Sequence, residues 1–419
     1  MARVNPCNWC RLLVVLLLSS WVYAQQQPDK QIEYYRAKLA KDPLHWPSHA
    51  GLGAAYLRKA RDTDDVAYYA KAEEALKRSL HLQPNYEALL HLTALYVAQH
   101  RFQEAISYGW QAVEAVPSDT ESYVYLSDAY FASGDYERAT EVAVKMLAIK
   151  PDFYALTHSA RCRYVRGDME GALNQMQQAL TVAVQDKVGQ SLISWGYVQL
   201  GSHYFGVGDL NRAEQAYQQA LAASPNDTLA IEHLAELRTA QRNFKAAIAL
   251  YRKLLKQRAN PEWQAALAGV YAQMGYTAQA RRLRRQAEAA YRRAIAAGRV
   301  DYYRHLAHLY LDHDVNLAEA LTLAQKDIEL RRDVFAYDTL AWAYYKNGRY
   351  EQAAQTIQEA LRWGIKDAEL FFHAGMIYYR LGDATQARDY LERALATNPY
   401  FNASDSDMAR TIIKQLARP

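Results

Sequence analysis

Stretches of 34 residues along this chain repeat one pattern. Residues 120–153 carry Tyr123, Leu126, Tyr130, Gly134, Tyr136, Ala139, Ala143, Met146 and Pro151. Residues 194–227 carry Tyr197, Leu200, Gly201, Tyr204, Gly208, Leu210, Ala213, Tyr217, Ala220 and Pro225 at the same offsets. Residues 368–401 repeat it with Phe371, Ala374, Gly375, Tyr378, Gly382, Ala387, Leu391, Ala394 and Pro399. A period of this length restricts the chain to stacked supersecondary units, each contacting mainly its neighbours in sequence.

The offsets define the unit. Large residues at unit positions 4, 7 and 11 fall on one face of a first helix. Gly near position 15, often followed by Asp, forces a tight turn. Small Ala at 20 and 27, with a larger residue at 24, lets a second helix approach the first closely. Pro at 32 ends that helix, because its nitrogen has no hydrogen to donate and its ring crowds the preceding turn. Each unit is therefore a helical hairpin whose apolar face needs a neighbour.

This pattern resembles the tetratricopeptide repeat. Ten units fit between Trp46 and Phe401, preceded by a lone second helix over residues 31–43. The resemblance implies an all-α fold, a right-handed superhelical solenoid of about ten hairpins. Three departures break the period. Tyr56 and Ala72, and again Tyr271 and Ala287, stand 16 apart where the ordinary unit has nine, and residues 187–193 are extra. Seven added residues are about two helical turns, which predicts lengthened helices. The expected organisation is a leader over 1–24, a helix within 25–45, units 1–4 over 46–193, units 5–7 over 194–298, units 8–10 over 299–401, and a capping helix over 402–419. Ser404 or Asp405 would start that last helix.

The leader is read from Arg3 and Arg11, the apolar run Leu12 to Leu18, and Val22-Tyr23-Ala24 before Gln25. The stretch from Leu12 to Ala24 is 13 residues, short of the ~20 that cross a bilayer, so a cleaved signal is expected ahead of an uncleaved anchor. A cleaved signal predicts a periplasmic or secreted protein. Cleavage would remove Cys7 and Cys10 and leave Cys162 with no internal disulfide partner.

Apolar residues at 51% and charged ones at 22% exclude a disordered chain. A formal charge of +4 gives no field that gathers nucleic acid, and the chain is expected to be peripheral to a membrane at most. No glycine-rich phosphate loop, HExxH helix or GxSxG elbow is present, so neither an enzyme nor a cofactor or metal is expected.

The resemblance implies an interaction scaffold whose inner groove is lined from the first helices, including unit position 6. Spaced along the chain, that position holds His91, Tyr125, Ser159, Gln199, His233, His305, Thr339 and His373, skipping the seventh unit. His308 lies one turn beyond His305, and Trp342 takes a comparable place. The candidate partner-binding groove is thus His91, Tyr125, Gln199, His233, His305, His308, Thr339, Trp342 and His373, taken as facing solvent. The plainer reading is that position 6 is merely solvated. An exported scaffold for a protein or peptide partner is the first functional expectation. A polysaccharide-secretion or cell-envelope assembly factor, with a glycan in the groove, is the second. A chaperone-tail clamp is not expected, since position 5 carries Leu90, Val124, His158, Val198 and Glu232. The run Arg281, Arg282, Arg284, Arg285, Arg292, Arg293 and Arg299 reads first as a solvated helix face, and second as a surface for an acidic protein or anionic polysaccharide.

Overall fold

The computed structural model describes residues 28–63 and 65–417, so the leader assigned to residues 1–24 lies outside the described residues. Among those described there are 22 helices and no strand. The chain forms two compact units, one running to Ser159 and the other starting at Ala160.

The first unit holds α1 (Pro28–Lys41) and the hairpins α2 (Trp46–Thr63) with α3 (Ala67–Leu82), α4 (Tyr86–Ala98) with α5 (Phe102–Ala115), and α6 (Thr120–Ala132) with α7 (Tyr136–Ile149). The boundary falls within α8 (Phe153–Val165). The second unit continues with α9 (Met169–Gln185) and pairs α10 (Gln190–Gly206) with α11 (Leu210–Ala223), and α12 (Thr228–Ala240) with α13 (Phe244–Gln257). Next come α14 (Pro261–Gln273) with α15 (Thr277–Ala296), α16 (Tyr302–Leu311) with α17 (Leu317–Leu330), and α18 (Val334–Lys346) with α19 (Tyr350–Leu361). It ends with α20 (Ala368–Leu381), α21 (Ala384–Thr397) and α22 (Ala403–Leu416).

Local chemistry explains the boundaries. A proline forces the residue before it out of the helical region. Lys150 and Asn398 accordingly stand extended, at φ −156° and −154°, and α7 and α21 stop there. At the hairpin turn Gly134 takes φ 79°, and Asp135 then caps α7 by accepting from the Arg138 amide at 3.1 Å. His100 and Arg242 occupy the same turn position at φ 58°, a conformation that costs an L-residue about 1 kcal/mol. At the close approach of the two helices stands a fully buried alanine, as in Ala139, Ala213, Ala353 and Ala387. Any larger side chain there would push the helices apart.

The period breaks are added helical turns. α15 has 20 residues where α13 and α21 have 14, α9 and α10 have 17 each, and α2 has 18. At the C-terminus α22 buries Ala409 and Ile412 in one cluster with Phe372, Leu391 and Phe401, so it covers the last hairpin. Its cap is Asn402, accepting from the Ser404 and Asp405 amides at 3.0 and 3.2 Å, and not Ser404 or Asp405 themselves. Among the described residues no helix is long and apolar enough to cross a membrane.

The second unit curls back on itself. Asn398 Nδ2 donates to the Phe205 carbonyl at 2.8 Å across 193 residues of sequence. Nearby, the Gly167 turn lies so close to Gly364 that a Cβ on Gly167 would overlap the Gly364 carbonyl oxygen.

Candidate functional site

The position-6 row is not an open, solvated groove. Tyr125, Gln199, His233, His308, Thr339, Trp342 and His373 are buried, and His91 and His305 are half-buried. Several of these groups tie one first helix to the next. His308 Nε2 lies 3.0 Å from Thr339 Oγ1, joining α16 to α18. The Thr339 hydroxyl donates to the Phe335 carbonyl at 2.7 Å, so His308 must be the donor in the shared bond. His373 Nδ1 lies 2.7 Å from Asp338 Oδ1, joining α20 to α18, and its ring stacks on Trp342 at 4.1 Å. His233 meets Glu236 at 3.0 Å and stacks on Tyr217. His305 bonds the Asp301 carbonyl at 3.1 Å, and Tyr125 donates to Glu121 at 3.4 Å. Burial, with Arg58 adding to it, lowers the His91 pKa to about 4.

The spacing also hid one member. The turn glycine Gly167 arrives one residue early, so the residue equivalent to position 6 in that unit is His158 and not Ser159. His158 Nδ1 lies 2.8 Å from Ser127 Oγ, linking α8 to α6 as His308 and His373 link their helices. A second interior group carries no signal in the repeat. Arg304 reaches Asp327 at 2.7 Å and both oxygens of Asp333 at 3.1 Å, while Arg331 reaches Asp327 from the other side. Asp327 is fully buried; burial alone would lift its pKa, yet the two guanidiniums hold it at about 2. Asp333 also caps α18 through the Ala336 amide at 2.7 Å.

Two surface cavities lie at period breaks. One, of about 780 Å³, runs along the lengthened α15 beside the start of α14, and Arg281, Arg282, Arg285 and Arg293 line it together with Asn260, Gln264 and Gln286. The other, of about 380 Å³, lies at the 187–193 insertion against α11, lined by Val188, Ile193 and Tyr197. On the opposite side of α15, Leu283, Ala287 and Tyr291 are buried in the core. Of the remaining arginines in the run, Arg292 pairs with Glu288 and Glu319, and Arg299 with Asp301. Among the described residues no group of three or more metal-ligating side chains comes together.

One description of the tetratricopeptide repeat matches residues 94–152 and 339–400, and a second matches 204–270. The heat shock protein STI1 of Saccharomyces cerevisiae is 27% identical over 128 residues, which is 30% of this chain and 20% of that protein. The chain thus spans about a fifth of that relative's length. Among solved structures, the APC/C hetero-tetramer Cut9–Hcn1 is 14% identical, covering 98% of this chain and 87% of its own, with a TM-score of 0.43. Yeast Tom70 is 12% identical, covering 87% and 95%, with a TM-score of 0.35.

Proposed function

Since the chain is a tetratricopeptide repeat protein, we propose that it is a non-catalytic scaffold that works after export by holding a protein partner on its helix surfaces. The observation that supports this is how the polar side chains are distributed. Several of those of the interior bond one another, as in His308–Thr339, His373–Asp338 and Arg304–Asp327. Adhesion to a partner therefore falls to side chains on the outside of the helices. A glycan partner has less support, because Trp342 and Tyr125, the row's candidates for stacking on a sugar ring, are buried.

The test is capture of partners by the full chain, expressed with its own N-terminus and crosslinked in place before purification. A protein recovered in stoichiometric amount is the expected result. Recovery of a glycan alone, or of nothing above background, would overturn the scaffold reading. Export has its own test, N-terminal sequencing of the purified protein. The account expects a start at or near Gln25, and residues 1–24 intact on a cytoplasmic protein would remove it.

A further inference from the structure

The geometry points to a binding site for an extended acidic peptide in the arginine-lined cavity along α15. This deepens the scaffold reading, on which it rests, by naming the chemistry of one partner segment. Arg281, Arg282, Arg285 and Arg293 all border the cavity and are exposed on α15. No carboxylate stands among its lining residues, and among the described residues none of these four side chains makes an ion pair or a hydrogen bond. Elsewhere on the surface arginines pair with acids, as in Arg101–Glu73, Arg238–Glu214 and Arg292–Glu319. Arg281 and Arg285 are one helical turn apart, and Arg282 and Arg285 are three residues apart, spacings at which like charges repel. Four guanidiniums gathered without counter-charge present a complement for an anion.

The remaining lining selects among anions. Arg281 to Arg293 spans roughly 18 Å of helix, the length of about five residues of extended chain. Asn260, Gln264 and Gln286 add side-chain amides, which can pair with the donors and acceptors of a peptide backbone. Ala259, Pro261, Ala278, Ala289 and Ala290 supply a floor of small side chains that a backbone can approach. No aromatic ring lines the cavity, so nothing there stacks on a sugar. Guanidinium forks match carboxylates bidentately, which completes the fit to Asp and Glu side chains.

The test uses the full-length chain and fluorescence anisotropy with a labelled six-residue peptide carrying four glutamates. A uronate hexasaccharide and polyphosphate of matched charge serve as competitors. The double variant Arg281→Glu, Arg285→Glu should weaken peptide binding at least tenfold and leave the melting curve unchanged, since both side chains are exposed. A control, Arg138→Glu with Arg349→Glu, adds the same charge elsewhere and should change binding less than threefold. Equal loss in the control, no binding by the parent chain, or a tenfold preference for uronate or polyphosphate would each overturn the acidic-peptide site. If the parent chain captures a protein in stoichiometric amount but does not bind the peptide, the scaffold reading stands and the cavity assignment falls. If capture fails with the parent chain as well, the scaffold reading itself is lost.

Discussion

The histidine row and the arginine cavity look alike in the sequence, since each is a set of polar side chains recurring at helical spacing, yet they end in opposite settings. His308, Thr339 and His373 are inside, each bonded to a group from a neighbouring first helix. Arg281, Arg282, Arg285 and Arg293 are outside, gathered round a cavity that holds no acid. The difference shows that a unit position does not decide exposure. What decides it is whether another helix lies over that position. First helices stack directly on one another, whereas the arginine-bearing flank of α15 borders an open cavity.

The sharpest way to break the comparison is inside, where charge is buried. Asp327→Ala would leave Arg304 and Arg331 facing each other in the core without their shared carboxylate. The expected cost is about 3–5 kcal/mol, concentrated in α16 to α18, and measurable by urea unfolding with hydrogen exchange. A loss under ~1 kcal/mol would mean that water reaches these groups. His373→Ala removes both the bond to Asp338 and the stacked partner of Trp342. It should cost about 2–3 kcal/mol, from a cavity and a carboxylate left unsatisfied.

One half-buried group is expected to act in the opposite sense. Burial, opposed by the Leu370 amide and reinforced by Asp338, lifts the Asp367 carboxyl to about 6. Between its unfolded value of 3.8 and about 6 the folded state binds this proton more readily, so its contribution to stability falls as pH rises through that window. Asp367→Asn keeps an oxygen to cap α20 and should stabilise the protein at pH 7 by ~1 kcal/mol. His91 and His203, which burial keeps neutral with pKa values lowered to about 4, work the other way. They lose stability as pH falls from 6.5 towards 4, so the Asn variant should steepen the acid side of the profile. Urea midpoints from pH 4 to 7 measure this, and parallel profiles for parent and variant would contradict it. The smallest effect belongs to the outside. Arg281→Gln and Arg285→Gln should each shift the urea midpoint by no more than the equivalent of ~0.5 kcal/mol, because no bond is lost.

The hairpins were legible because turn and stop depend on a few residues each. Gly134 and Asp135 make a turn, Pro151 and Pro399 stop a helix, and Ala213 or Ala387 marks the close approach. The added turns of α15 could likewise be read from the distance between Tyr271 and Ala287. The setting of the site residues could not, for three physical reasons. A histidine on a first helix is the same residue whether or not a Thr339 or Asp338 lies over it. A single early glycine, Gly167, moves the row onto His158. The acids that hold Arg304 come 23 and 29 residues later and meet it only after the hairpins have stacked.

A double-mutant cycle on His308 and Thr339 tests the central claim, that the row ties successive hairpins together, with the least interference. The account predicts that His308→Ala and Thr339→Ala are each destabilising and that their effects fall short of additivity by about 0.5–3 kcal/mol. Effects that add within ~0.3 kcal/mol would contradict it, and would mean that the two side chains occupy their places without holding the hairpins in register.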